Sequence, residues 1–231
     1  MSAVTTTESK GSPGWHHAHH FDKADTQFDA AKMGIWLFLV TEILFFGGLF
    51  CALFIYRSWY FDSFVEAHHH LDKQMGALNT LFLITSSLTM ALAVRASQKT
   101  DTKQTVRLLL ATFAFAGAFL VVKYFEYSHK LHNGIGWGVA CHPSEHILAS
   151  LPQAAQALPI PANLGTFFSI YYLMTGLHGV HVVIGIGLFT WLLGRLPAFG
   201  PDNWGAVDGV ALYWHLVDLV WIFLFPLFYL I

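Results

Sequence analysis

Long apolar runs alternate with short polar connections along this chain, and within each run the apolar character is continuous. A bilayer's hydrocarbon core is about 30 Å thick, and at a rise of about 1.5 Å per residue a helix needs about 20 apolar residues to cross it. Five stretches reach that length, at residues 33–56, 75–94, 108–127, 163–193 and 209–231. None has the short alternating pattern of a membrane β-strand, and a chain in lipid must close its backbone hydrogen bonds internally, so each stretch reads as a helix. The pattern predicts an all-α polytopic membrane protein with five transmembrane helices over residues 33–231, preceded by a polar, His-rich N-terminal tail at residues 1–32. That tail lacks the apolar centre of a cleavable signal peptide, which leaves the first span to act as its own targeting signal.

The connections also predict orientation. Lys10, Lys23, Lys32, Arg95, Lys99, Lys103, Arg107 and Arg195 fall on one side, against Arg57, Lys73, Lys123 and Lys130 on the other. Cytoplasmic loops are enriched in Lys and Arg, so the N-terminus is expected inside and the C-terminus outside. Composition agrees with a membrane setting: 55% of residues are hydrophobic and 11% charged, where soluble domains carry about 25% charged residues. A formal net charge of -2 offers no basic field for phosphates, which excludes nucleic acid as a partner. Two cysteines, Cys51 and Cys141, are too few for a disulfide framework, a four-thiolate zinc site or a Cys-ligated iron–sulfur cluster.

Ionisable side chains inside the spans need a reason to be there, since each costs about 2.5–3.5 kcal/mol at mid-bilayer on insertion scales. Glu42 lies roughly 13 Å from the inner end of the first span. His178 and His181 share a face of the fourth helix, His215 and Asp218 share a face of the fifth, and all lie at overlapping depth. Two readings stand. The groups satisfy one another as interhelical glue, through a hydrogen-bonded Glu42 and a His215–Asp218 pair, or they form a proton-accessible or conformation-setting site with Glu42 as its buried carboxylate. Gly47, Gly48, Gly176, Gly179, Gly185 and Gly187 favour close helix approach under either reading. Lys123 and Glu126, near the end of the third span, are expected to reach the membrane interface or to face protein.

His142-Pro143-Ser144-Glu145-His146 fits the H-x-x-E-H pattern of an inverted zinc-protease site, but Gly134, Gly136, Gly138 and Pro152 around it describe a loop without a supporting helix. No metal is expected there, nor at His16, His17, His19, His20 or His68, His69, His70, which lie on polar segments and read as solvated. Trp15, Trp59, Tyr60, Trp137 and Trp204 sit near span ends as interfacial belt residues.

Four motifs carry a family resemblance. They are Trp36-Leu37-Phe38-Leu39-Val40-Thr41-Glu42-Ile43-Leu44-Phe45-Phe46, the pair Glu126-Tyr127, Thr175-Gly176-Leu177-His178-Gly179-Val180-His181-Val182, and Tyr213-Trp214-His215-Leu216-Val217-Asp218-Leu219-Val220-Trp221. In this order they resemble subunit III of the haem–copper cytochrome c oxidases, over all of the chain but the N-terminal tail. The chain starts at what would be the third span of seven-span members, like the five-span bacterial type, and Lys123 stands where many members have Gln. The resemblance implies a non-catalytic subunit of a proton-pumping terminal oxidase in the bacterial inner membrane, packed with subunits I and II. Haem and copper would be held by those partners and no cofactor by this chain, and phospholipid would be bound. It further implies that Glu42 matches the carboxylate that reacts with hydrophobic carbodiimides, and that Arg195 matches an arginine that contacts a lipid headgroup. Taken with the charged connection from Arg95 to Arg107, the resemblance also implies that the first two spans form a pair lying apart from the last three except near Glu42, with a lipid-accessible groove between the groups. Subunit III of a quinol oxidase, an accessory protein of nitric oxide reductase and, more distantly, a free-standing proton transporter remain as alternatives.

Overall fold

The computed structural model describes residues 24–67, 71–137, 164–195 and 205–230. The described residues form six helices: α1 (Ala24–Trp59), α2 (Phe61–Ala67), α3 (Lys73–Gln98), α4 (Thr102–His132), α5 (Leu164–Arg195) and α6 (Gly205–Tyr229). All but the short α2 are long and apolar enough to cross a bilayer. The helices exceed the apolar runs, and α1 already begins within the polar tail. The reason is that a helix continues through the headgroup region until a cap or a turn stops it. The His-rich tail segment, His68–His70, Cys141, the His142–His146 pattern, Trp15 and Trp204 lie outside the described residues.

α3 and α4 form an antiparallel hairpin joined by residues 99–101. Each start is capped by an aspartate: the Asp72 carboxylate accepts from the Gln74 and Met75 amides, and Asp101 from the Gln104 amide. From Gly76 to Ala93 the buried positions of α3 are Gly76, Asn79, Leu83, Ser86, Met90 and Ala93, with Ala96 buried at the helix end, and those of α4 are Thr105, Leu109, Thr112, Ala116, Phe119, Lys123, Glu126 and Lys130. Both follow the alternating three-and-four spacing of a coiled-coil seam. Small and polar residues occupy much of that seam because, in lipid, close backbone approach and interhelical hydrogen bonds hold helices together where hydrophobicity cannot. Thr89 and Thr112 meet across it, Oγ1 to Oγ1, at 2.7 Å.

α6 closes on α3, α5 on α6, and α4 on α5, so that these four helices form a ring around one aromatic core. Trp214 and Trp221 are fully buried and tie α6 to α3, their Nε1 groups donating to Ser86 Oγ and Thr80 Oγ1, both at 3.1 Å.

The expected pairing of the first two spans does not form. The second span, α3, is an inner member of the four-helix bundle, and only α1 is peripheral, resting chiefly on α6 and α2. The cause lies in what each helix can bury. α1 offers a narrow stripe, Leu39, Phe46 and Leu53 at heptad spacing, while Leu37 and Leu44 face outward, 69% and 70% exposed.

Candidate functional site

Two charged clusters lie within the helices, and a third group of polar side chains remains partly unpaired. The larger cluster is built by α4, where Lys123, Glu126 and Lys130 follow the seam spacing and so point together into the bundle. Lys123 and Glu126 therefore face protein rather than the interface. Glu126 Oε1 accepts from Lys130 Nζ at 2.6 Å, Tyr171 OH at 2.8 Å and Tyr229 OH at 2.6 Å, and its Oε2 accepts from Lys123 Nζ at 2.9 Å. A carboxylate oxygen offers about two lone pairs, so Oε1 is fully engaged, with three donors crowded on it, while Oε2 takes one. Lys123 Nζ spends its other hydrogens on Tyr171 OH at 3.1 Å and Tyr229 OH at 2.9 Å, so its three donors are also used. Because each tyrosine gives its single hydrogen to Glu126, the two hydroxyl oxygens, 3.0 Å apart, both turn lone pairs toward the Lys123 charge. The rings of Tyr127, Tyr171, Trp221 and Tyr229 surround Lys123 Nζ at 4.7–5.5 Å from their centroids, adding cation–π attraction. A cleft of about 570 Å³ lined by Leu71, Asp72, Met75, Phe125, Glu126, His129 and Lys130 borders the cluster on one side.

The second cluster joins α1 to α5 and α6. His181 Nε2 lies 2.9 Å from Glu42 Oε2, and its Nδ1 lies 2.8 Å from the Leu177 carbonyl. A carbonyl only accepts, so Nδ1 carries hydrogen, and the bond to Glu42 then holds one further proton, on Nε2 or on the carboxyl. Tyr213 donates to the His181 carbonyl at 3.0 Å, and Phe46 packs edge-on against the His181 ring. Glu42 is not deeply buried: its side chain is 17% exposed, and neighbouring Phe38 and Phe45 are each 45% exposed. The carboxylate sits at the margin of the bundle, where a lipid or a partner can reach its surroundings.

His178 and His181 turn to different neighbours. They are three residues apart, about 60° around the helix, so His181 meets α1 while His178 points into the core between Phe119 and Trp221. His178 is fully buried with neither ring nitrogen hydrogen-bonded among the described residues. The His215–Asp218 pair does not form either. Ser87 of α3 takes His215 Nδ1 at 2.7 Å, and both carboxylate oxygens of Asp218 lack a hydrogen-bond partner among the described residues. Arg195 is exposed at the end of α5, its guanidinium 5.6 Å from the Trp191 ring centroid. Of the glycines flagged for close approach, only Gly185 makes one, against Trp214; Gly47, Gly48, Gly176, Gly179 and Gly187 face open space.

Sequence reasoning missed Lys130, Tyr171, Tyr229 and Ser87 as members of these groups. Lys130 counted only as a loop charge, although it lies four residues after Glu126 on one helical face, which was the available signal. The tyrosines and Ser87 carry no local signal, since their partners lie on other helices. Among the described residues no three His, Cys, Asp or Glu side chains converge as a metal site would require.

The fold and these clusters define a class: a helical membrane protein whose intramembrane charges are mostly committed to one another across helices. Comparison with known proteins narrows it. The sequence profile of cytochrome c oxidase subunit III matches residues 156–231. The chain is 30% identical to cytochrome c oxidase subunit 3 of Thermostichus vulcanus over 98% of this chain and 97% of that protein. It is 25% identical to the "Probable quinol oxidase subunit 3" of Staphylococcus saprophyticus over 94% of this chain and 96% of that one. In Aeropyrum pernix, a protein called heme-copper oxidase subunit I+III is 28% identical over 88% of this chain, which spans 23% of its length. The chain belongs to the cytochrome c oxidase subunit III family.

Proposed function

We propose that this chain is the auxiliary subunit III of a haem–copper terminal oxidase, assembled with subunits I and II in a bacterial cytoplasmic membrane. The observation that carries this reading is the similarity to a cytochrome c oxidase subunit 3 along almost the whole of both chains. Haem and copper belong to the partner subunits in this reading, and the present chain contributes assembly, lipid holding and support of proton uptake by subunit I. The protein's own architecture suits that division. Its interior clusters hold helices in place, while long apolar faces on α1 and α5, including Leu37, Leu44, Val183 and Ile184, remain open to lipid or to a partner. The Aeropyrum protein, whose name joins subunits I and III, supports subunit I as a direct neighbour. An inside N-terminus is supported by the charge bias, which steepens once Lys123 and Lys130 are taken into the interior. Arg195, exposed beside Trp191 at a helix end, is suited to an anionic lipid phosphate through bidentate charge-assisted bonds.

Purification in mild detergent tests the assignment. Haem absorption should accompany the tagged chain at stoichiometric level in the complex and be missing from the isolated chain; a chain that purifies without haem-containing partners would refute it. The relative named as a quinol oxidase subunit makes quinol the second donor to consider beside cytochrome c. Oxygen uptake by the purified complex with each reduced donor separates the two.

Glu42 provides a sharper check. In Glu42→Gln the amide can still donate to His181 Nε2, whose Nδ1 hydrogen stays on the Leu177 carbonyl. That variant is expected to assemble, reduce oxygen and pump protons near the parent level. Glu42→Ala removes the tie between α1 and α5 and should weaken retention of the chain in the complex, by about 1–2 kcal/mol as for other intramembrane hydrogen bonds. A Glu42→Gln complex that assembles normally but no longer pumps would show that the carboxylate titrates in function.

A further inference from the structure

We infer that the cleft beside the Glu126 cluster holds the headgroup of a zwitterionic phospholipid, whose phosphate meets Lys130 and whose ammonium meets Asp72. The cleft lies between the start of α3 and the end of α4, and its volume of about 570 Å³ falls within the range of about 300–1,000 Å³ usual for small-molecule sites. Lys130 lines it while being only 4% exposed, and its ammonium gives one of three hydrogens to Glu126 Oε1 at 2.6 Å. Among the described residues no acceptor takes the other two; the Tyr171 ring, 5.1 Å away at its centroid, offers only its face. A buried ammonium with idle donors is costly, and an anionic oxygen entering the cleft would satisfy it through charge-assisted bonds. The cluster also carries two ammonium groups against one carboxylate, an excess that a phosphate offsets.

Asp72 supplies the opposite charge on the same cleft. Its Oδ1 accepts from the Gln74 and Met75 amides at 2.9 and 3.2 Å, while Oδ2 has no partner among the described residues and the residue is exposed. An anionic headgroup would leave Asp72 uncompensated, and a cation alone would be repelled by Lys130. A phosphoethanolamine headgroup carries both charges a few atoms apart and suits both walls. Its primary ammonium can donate to Oδ2, which a quaternary ammonium cannot do.

The surroundings select a lipid over a soluble zwitterion. The apolar run of α3 starts near Met75 and that of α4 ends near Tyr127, so the cleft stands at headgroup depth. From it Met75, Leu78 and Phe82 on α3, and Phe125, Val122 and Phe115 on α4, follow at helical spacing toward the bilayer centre. None of the six is buried, and Phe82 and Phe115 lie 6.4 Å apart between centroids, so acyl chains have a continuous apolar track. The site is distinct from Arg195. The start of α5 stands beside the end of α4, where Tyr172 OH donates to the Ile135 carbonyl, which puts Arg195, at the other end of α5, on the opposite membrane face.

Native mass spectrometry tests this on the full chain, purified with its partners from bilayers of equal parts phosphatidylethanolamine, phosphatidylcholine and phosphatidylglycerol. Phosphatidylethanolamine is expected to persist on the chain where the other two wash away, and a photoreactive form of it should label the α3 and α4 peptides that line the cleft. Asp72→Asn keeps the helix cap, since Asn caps as well as Asp. It should lower the preference for phosphatidylethanolamine over phosphatidylglycerol by about tenfold, equivalent to about 1.4 kcal/mol, whereas Arg195→Ala should leave that preference unchanged. An unaltered preference in Asp72→Asn, equal retention of phosphatidylcholine, labelling confined to other helices, or displacement by soluble glycerophosphoethanolamine at the lipid's own concentration would overturn the proposal. Lipid retention is read whatever the partners prove to be, so the result is independent of the oxidase assignment.

Discussion

Glu126→Ala should destabilise the chain by about 3–5 kcal/mol, the cost of stranding a buried charge once its partner is removed. Here the loss leaves two ammonium groups inside the bundle, Lys123 with only the Tyr171 and Tyr229 hydroxyls to receive it and Lys130 over the Tyr171 ring. Lys123→Gln is the informative contrast. Glu126 then retains Lys130, Tyr171 and Tyr229, the amide can still donate toward it, and one buried charge is removed, so the change should stay within about 1 kcal/mol of the parent. Thermal unfolding of the purified protein in detergent, followed beside the yield of assembled complex, reads both. Equal stability of Glu126→Ala and the parent would mean that the cluster holds nothing together.

Gly185→Ala is the second large effect. A methyl group at this position would lie 2.5 and 2.7 Å from the Trp214 ring. That indole cannot retreat: it is fully buried, packed against Phe189 at 4.8 Å between centroids, and anchored through Nε1 to Ser86. Overpacking against a fixed neighbour costs about 1–3 kcal/mol, and here it would also force α5 from α6. Gly209→Ala makes a useful control. The added methyl would meet Ile35 Cδ1 more closely still, yet the obstacle is the end of a flexible side chain that can rotate away. The expected order is therefore a larger fall in unfolding temperature for Gly185→Ala than for Gly209→Ala, although raw distance ranks them the other way.

Both predictions depend on contacts between helices, and those were the part of the protein that its sequence concealed. In α1 the position of Glu42 within a span was legible, but only the folded chain showed that the carboxylate meets His181 at the bundle's margin. In α5, His178 and His181 looked like a pair because they are a turn apart; a 60° difference in direction sends one to the core and the other to α1. Lys123 and Glu126 were legible as misplaced charges, but Tyr171 and Tyr229, which complete their shell, come from 45 or more residues away.

Hydropathy by itself determined the number and approximate position of the membrane helices, because each must present about 20 apolar residues to lipid whatever its neighbours do. The motif order determined the family. Which helix packs on which was left to the tertiary structure. In a soluble protein the apolar face of a helix points to the core, whereas here lipid accepts apolar side chains as readily as protein does, so apolar content carries no direction. Small and polar seam residues such as Gly76, Asn79 and Ser86 on α3 carry it instead, and their meaning appears only when Tyr229, Trp221 and Trp214 of α6 are seen packed along the same helix.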